Sequence, residues 1–291
     1  LTDVSLTIEK ASPQEAATAI GLTAAAEGLH GDNAEYLFRV KLGRRWSVLS
    51  QWSSTNAFTW TPSKPGTYTV QVLSRAAGRS DYDVEYSDTY TVLEIPKQQG
   101  VALSTDIAEG QEYGTEVALA AAPQGDAELT GRAEYRFLYK YGRRWHEIQD
   151  WSDSPACTWT PQKKGTYYIR VYTRTQGRTN KYDTYEQYKC SFADIPKQTG
   201  LDLTVDKEPI QEAGTEINLT ALTATLDPEL AARAEYQFKY KLGRKTTVIQ
   251  DWSSDNTCTW IPEAKGTYTL YAYTRTAGRS GYDKYTYRKN Y

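Results

Sequence analysis

The sequence predicts an all-β chain of three tandem antiparallel β-sandwiches, on three observations. A block of landmarks recurs three times in one order, at a period of about one hundred residues. Apolar and polar residues alternate with a period of two almost throughout. Helical periodicity is confined to one short stretch. The landmarks are Ala-Glu-Tyr from Ala34, Ala133 and Ala234, Trp-Ser at Trp52, Trp151 and Trp252, and a second Trp at Trp60, Trp159 and Trp260. Gly-Thr-Tyr follows from Gly66, Gly165 and Gly266, then Tyr-Asp at Tyr82, Tyr182 and Tyr282. The segments "EIPKQQG" and "ADIPKQTG" each lead into a fresh alternating run, so boundaries are expected at Pro96 and Pro196. The copies are then residues 1–96, 97–196 and 197–291, and a module of this size can bury a core of its own without neighbours.

In the first copy the runs "VSLTIE", "AIGLTA", "EYLFRVK", "FTWT", "TYTVQV" and "YTVLEI" read as strands, separated by Gly, Pro and polar punctuation. Six or seven short strands in about one hundred residues predict a sandwich of immunoglobulin type. The helical exception is "DPELAA", where Asp227 can cap and Pro228 sit at the first helical position. Each last strand should run through Ile-Pro-Lys-Gln into the next copy, which predicts beads joined end to end. After the Trp-x-Pro corner, Tyr68, Tyr167 and Tyr268 stand where such sandwiches turn a tyrosine hydroxyl back onto the backbone.

The Trp of the middle strand, the Trp-x-Pro corner, the Gly-x-Tyr strand opening and the Arg before a Gly-containing hairpin together resemble the triple-tyrosine (Y-Y-Y) domain. The resemblance covers the latter two thirds of every copy. It implies a fibronectin type III-like sandwich of the kind found beside β-propellers in hybrid sensors, or as tandem copies in exported clostridial proteins. With no propeller or kinase segment in the chain, the tandem exported type fits better.

Composition excludes several functions. The formal net charge is −2, and the copies carry 8 basic against 11 acidic residues, 13 against 13, and 13 against 12. A nucleic-acid-binding domain shows a basic balance instead. Only two histidines occur, His30 and His146, at non-equivalent places, and no nucleophile elbow, phosphate loop or metal-ligand spacing is present. No enzyme, cofactor or metal is expected. Carboxylate pairs such as Asp81 and Asp83 read as ordinary loop charges. Cys157 and Cys258 replace Phe58 of the first copy, as small buried hydrophobes do, while Cys190 stands alone. The odd count argues against a disulfide framework and leaves a Cys157–Cys190 bridge as the alternative. There is no apolar stretch of spanning length, and the lack of any Met suggests a processed or excised fragment.

The candidate site lies on the strand "GTYYIRVYTRT". With Tyr167, Ile169 and Val171 inward, Tyr168, Arg170, Tyr172 and Arg174 face outward. The corresponding outer row is Thr269, Tyr271, Tyr273 and Arg275 in the third copy, and Thr69, Gln71, Leu73 and Arg75 in the first. On the neighbouring strand Tyr135, Phe137 and Tyr139 point in and Arg136, Leu138 and Lys140 out, with Gln237, Lys239 and Lys241 outward in the third copy. Two uses of this face stay open. Cross-strand cation–π and arginine–carboxylate pairs would fasten the sheet, with Asp183 or Glu186 neutralising the arginines. Alternatively the rings would stack on sugars while Arg170, Arg174, Arg136, Lys140 and Arg275 hold acidic groups of a cell-wall or capsular glycan. Trp46 and Trp145, replaced by Thr246, should cover either the neighbouring strand or the next bead. The expected protein is a monomeric, non-catalytic surface fragment of a Gram-positive bacterium, spacing or binding a glycan or protein partner. A ligand-sensing ectodomain is the alternative.

Overall fold

The computed structural model describes residues 1–28 and 33–291, so His30 lies outside the described residues. In the first copy the strands are β1 (Asp3–Ile8), β2 (Gln14–Glu15), β3 (Ile20–Glu27), β4 (Ala34–Leu42), β5 (Arg45–Val48), β6 (Ala57–Trp60), β7 (Gly66–Ala76) and β8 (Val84–Leu93). The second has β9 (Gly100–Thr105), β10 (Val117–Gln124), β11 (Ala133–Tyr141), β12 (Arg144–Ser152), β13 (Ala156–Trp159), β14 (Gly165–Thr175) and β15 (Thr184–Phe192). The third has β16 (Asp202–Val205), β17 (Ile217–Leu222), β18 (Ala234–Leu242), β19 (Lys245–Ser253), β20 (Thr257–Trp260), β21 (Tyr268–Thr276) and β22 (Lys284–Arg288).

These strands form three pairs of sheets. A three-stranded sheet in the order β1-β3-β6, β9-β10-β13 or β16-β17-β20 goes with a second sheet in the order β5-β4-β7-β8, β12-β11-β14-β15 or β19-β18-β21-β22. This three-plus-four arrangement is that of a fibronectin type III-like sandwich. In the first copy β2 adds a fifth strand, pairing in parallel with Val92 and Leu93 of β8. A bulge recurs between β11 and β12 around Phe137 and between β18 and β19 around Phe238. Such an extra residue bends an edge strand and increases its twist. The chain also divides into two compact units, one holding Leu1–Thr105, Ala118–Cys157 and Tyr168–Tyr188, the other Asp106–Val117, Thr158–Tyr167 and Lys189–Tyr291.

Alternation places the cores. In the first sandwich Ile20, Leu22, Phe38, Val70, Val72 and Tyr90 are buried together, and in the third Leu203, Ile217, Leu219, Phe238, Leu270 and Ala272. A tryptophan meets the edge of a tyrosine in all three copies, Trp60–Tyr68 at 5.0 Å, Trp159–Tyr167 at 5.2 Å and Trp260–Tyr268 at 4.9 Å. The same tyrosines donate their hydroxyls to a carbonyl four residues back: Tyr68 to Lys64 and Tyr167 to Lys163 at 2.8 Å, Tyr268 to Ala264 at 2.7 Å. Tyr268→Phe strips that corner carbonyl of its donor. The expected loss is about 1–3 kcal/mol in urea unfolding, and an unchanged midpoint would show the bond to be dispensable.

Asp227 caps α2 (Pro228–Ala232), accepting from the N–H groups of Glu229 and Leu230, with Pro228 in the first turn. A second turn that the sequence reading does not include, α1 (Ala127–Thr130), is capped in the same way by Asp126.

Candidate functional site

On the outer faces of the larger sheets several arginines already have partners within the sheet. Arg174 pairs with Glu134 at 2.8 Å and lies 4.1 Å from the ring centre of Trp151. Arg75 does the same with Glu35 (2.7 Å) and Trp52 (4.2 Å), and Arg275 with Glu235 (2.6 Å) and Trp252 (4.3 Å). In the first and third sandwiches the register sets Glu35 directly opposite Arg75 and Glu235 opposite Arg275. This is a cross-strand clamp built from the Ala-Glu-Tyr and Trp-Ser landmarks, worth a few tenths of a kcal/mol to about 1 for each such pair.

Arg170 sits 4.3 Å from the Trp145 ring and 4.6 Å from Tyr185, donates to Gln187 at 2.6 Å and reaches the Tyr172 hydroxyl at 2.8 Å. Arg136 pairs with Glu147 at 2.5 Å and Asp150 at 3.3 Å. The expected neutralisation of this face by Asp183 is therefore corrected: Asp183 turns to Arg178 instead. Lys140 stands 5.9 Å from Trp145 and 6.0 Å from Tyr168. Trp145 thus covers its own sheet face, as does Trp46, which lies 4.4 Å from Arg39. Two outward residues of the first copy and one of the third are buried after all. Gln71 accepts from Arg39 at 2.5 Å, Leu73 faces Leu37 across the ladder, and Gln237 donates to Asp251 at 2.6 Å.

The third sandwich leaves its rings more open. Tyr271 stacks near Tyr273 (6.2 Å) and Tyr287 (5.9 Å), while Tyr273 also meets Tyr282 (5.3 Å) and Tyr285 (5.7 Å). Lys239 lies 4.8 Å over Tyr273. Burial, then the neighbouring phenols, pushes the Tyr273 hydroxyl above the usual tyrosine range. In the second sandwich Tyr172 meets Tyr182 (4.5 Å) and Tyr185 (5.9 Å). Tyr182, Tyr185, Tyr282, Tyr285 and Tyr287, all exposed, were not among the sequence candidates. Their signal was the Tyr-Asp landmark and the period-two tyrosines after it.

A second arrangement repeats at the linkers. Ile95 and Gln98 are buried, and Lys97 between them is exposed. The Gln98 N–H donates to Asp183 at 3.1 Å and its side-chain amide donates to the Leu129 carbonyl at 2.8 Å. Arg178 bonds the Ile95 carbonyl and pairs with Asp183 at 2.8 Å and Glu94 at 3.3 Å, while Arg132 grips both oxygens of Glu15 at 3.2 and 2.6 Å. The second linker reproduces this set. Gln198 donates to Asp283 (3.1 Å) and Leu230 (2.7 Å), Arg279 to the Ile195 carbonyl (2.5 Å), and Arg233 to both oxygens of Glu112 (3.0 and 2.6 Å). Arg279 Nε and Asp283 Oδ1 stand 2.7 Å apart as an ion pair. At Gly177 and Gly278, φ is +88° and +89°, and an added Cβ would lie 3.1 Å from the Ile95 or Ile195 side chain. Glycine is thus needed twice over, for the hairpin conformation and for the approach of the linker.

His146 is exposed and stacks on Tyr139 at 4.9 Å. Among the described residues no group of three His, Cys, Asp or Glu side chains is placed to hold a metal ion. The three cysteines are free thiols, which corrects the Cys157–Cys190 alternative. Burial pushes Cys157 and Cys190 up to about 11, and burial with Asp255 pushes Cys258 up to about 12. At pH 8 all three stay almost wholly protonated, so thiol reagents should label the native chain slowly, and reductant should leave the unfolding midpoint unchanged. Rapid native labelling, or a midpoint that falls with reductant, would contradict this.

No protein-family model and no curated protein matches the chain. Among solved structures, it is similar to the FN1-FN3 domains of chicken CNTN1, at 12% identity and a TM-score of 0.32, covering 99% of this chain and 98% of that one. No helix among the described residues is long and apolar enough to cross a membrane.

Proposed function

We propose that this chain is a non-catalytic tandem region of a bacterial exported or cell-surface protein and works as a spacer, its sandwiches being triple-tyrosine domains of a Gram-positive surface. The observation that carries this reading is the linker. Two segments, 94–98 and 194–198, are held by the same glutamine, arginine and aspartate bonds. A tether needs no such bonds; a spacer that keeps its joints fixed does. Backbone order parameters from ¹⁵N relaxation test it. The spacer reading expects values of about 0.85 at Gln98 and Gln198, and values below about 0.6 would make the linkers flexible tethers and overturn it.

A second reading, binding of a cell-wall or acidic glycan, is favoured by the open tyrosine face of the third sandwich. With Arg174, Arg275 and Arg136 held by carboxylates, the weight shifts from the arginines to Tyr271, Tyr273, Tyr285 and Lys239. Retention on purified walls and acidic glycans should fall for Tyr273→Ala with Tyr285→Ala and persist for Arg170→Ala with Arg174→Ala. Ring stacking should also resist salt, which shortens the screening length from about 10 Å at 0.1 M to about 3 Å at 1 M. If wild type is not retained at low salt, or the tyrosine variant is retained equally, the face serves the sheet alone. A ligand-sensing ectodomain would use the same face.

A further inference from the structure

The linker contact has two halves. One is the acidic-Ile-Pro-Lys-Gln segment leaving a sandwich; the other is a hairpin Gly-Arg with an Asp four or five residues after the Arg, Arg178 with Asp183 and Arg279 with Asp283. The first sandwich carries the second half as well. Arg79 pairs with Asp83 at 3.0 Å, and Asp83 accepts the Ala76 N–H at 2.8 Å, as Asp183 accepts that of Thr175 (2.9 Å) and Asp283 that of Thr276 (2.9 Å). The Leu1 nitrogen lies 3.5 Å from the same Asp83 oxygen, in the place where the Gln98 and Gln198 N–H groups meet Asp183 and Asp283. Yet Arg79 has a side-chain exposure of 64%, against 9% for Arg178 and 16% for Arg279. Gly78 keeps the positive φ, +84°, while the space its missing Cβ leaves is empty.

We infer that the hairpin Gly78-Arg79 with Asp83 is a docking surface for an acidic-Ile-Pro-Lys segment leading out of another sandwich of this same kind. Arg79 would bond the isoleucine carbonyl and face the acidic side chain; the isoleucine would pack over Gly78. Charge and shape both follow the two linkers already made. Asn33 stands where Arg132 and Arg233 stand, so this contact lacks the bidentate pair to a glutamate and is the weaker of the three. The inference extends the spacer reading but is read on different residues, so either can fail alone.

The amide of Arg79 donates to Ala76 at 3.2 Å, that of Arg178 to Thr175 and that of Arg279 to Thr276 at 3.1 Å, which makes the latter two internal references for hydrogen exchange. The test joins a second copy of residues 1–97, unlabelled, to Leu1 of the ¹⁵N-labelled full chain, so that Leu1 follows Lys97 as Gln98 does. In the unextended chain the Arg79 amide should exchange about tenfold faster than the two references, and the extension should slow it about tenfold. Replacing Glu94-Ile95-Pro96-Lys97 of the added copy with Gly-Ser-Gly-Ser, or Arg79→Ala in the labelled chain followed at Gly78, should abolish the gain. An unchanged Arg79 rate overturns the inference, as does equal slowing with the Gly-Ser segment. Slowing of the unextended chain with concentration would assign the hairpin to self-association and overturn it too.

Discussion

Asp183→Ala is expected to lower the stability of the chain by about 3–5 kcal/mol, the cost of leaving a buried cation without its counter-charge. The Asp183 carboxylate is fully buried and serves four groups: the N–H groups of Thr175 and Gln98, the Asn180 side chain and the Arg178 guanidinium. Glu94 remains near Arg178 but is itself mostly solvated, so it cannot take over. Asp83→Ala is the internal comparison. Arg79 stays in water there, and the loss should be much smaller. Urea unfolding of both variants decides it, and equal losses would show that the charge at the linker adds nothing to an ordinary hairpin aspartate.

Phe238→Ala should cost about 3–5 kcal/mol in the third sandwich, because its ring is fully buried in the core that also holds Ile217, Leu219, Tyr236 and Leu270. The consequence is a test of independence. If residues 1–96, 97–196 and 197–291 each fold on their own core, calorimetry of this variant should show one transition moved down and the remainder in place. A single transition that moves as a whole would make the three copies one cooperative unit.

Parity along a strand is local, and it was legible. The repeated Trp and Tyr landmarks predict which side of β7, β14 and β21 meets the core, and Tyr68, Tyr167 and Tyr268 lie beside their tryptophans. The Asp227 cap was equally legible because Asp, Pro and the apolar residues fall in one window. The Asp126 turn lacks the proline, and its sequence reads as loop. What could not be read was pairing across the ladder. That Arg174 takes Glu134, forty residues earlier in the chain, as its carboxylate partner follows only from the fold. Gln71 and Leu73 follow the outward parity, yet Arg39 and the opposite strand cover them. Asp183 likewise reads, with Glu186, as a counter-charge for the outer arginines, while the fold pairs it with Arg178. Its partners Gln98 and Arg178 come from a linker and a hairpin far apart in sequence, and only the recurrence of Tyr-Asp and Gly-Arg marked them.

Limited trypsin digestion tests the fixed linkers most directly. Lys97 and Lys197 are exposed, each followed by a glutamine that is buried and bonded, so the peptide bond after each lysine is anchored on its far side. Cleavage there requires the linker to open first. The expected result is that the bonds after Lys97 and Lys197 are cut late in the native chain, and that Arg178→Ala makes the Lys97 site early while Lys197 stays protected. Early cleavage at both lysines of the unmodified chain, releasing single sandwiches, would contradict the account.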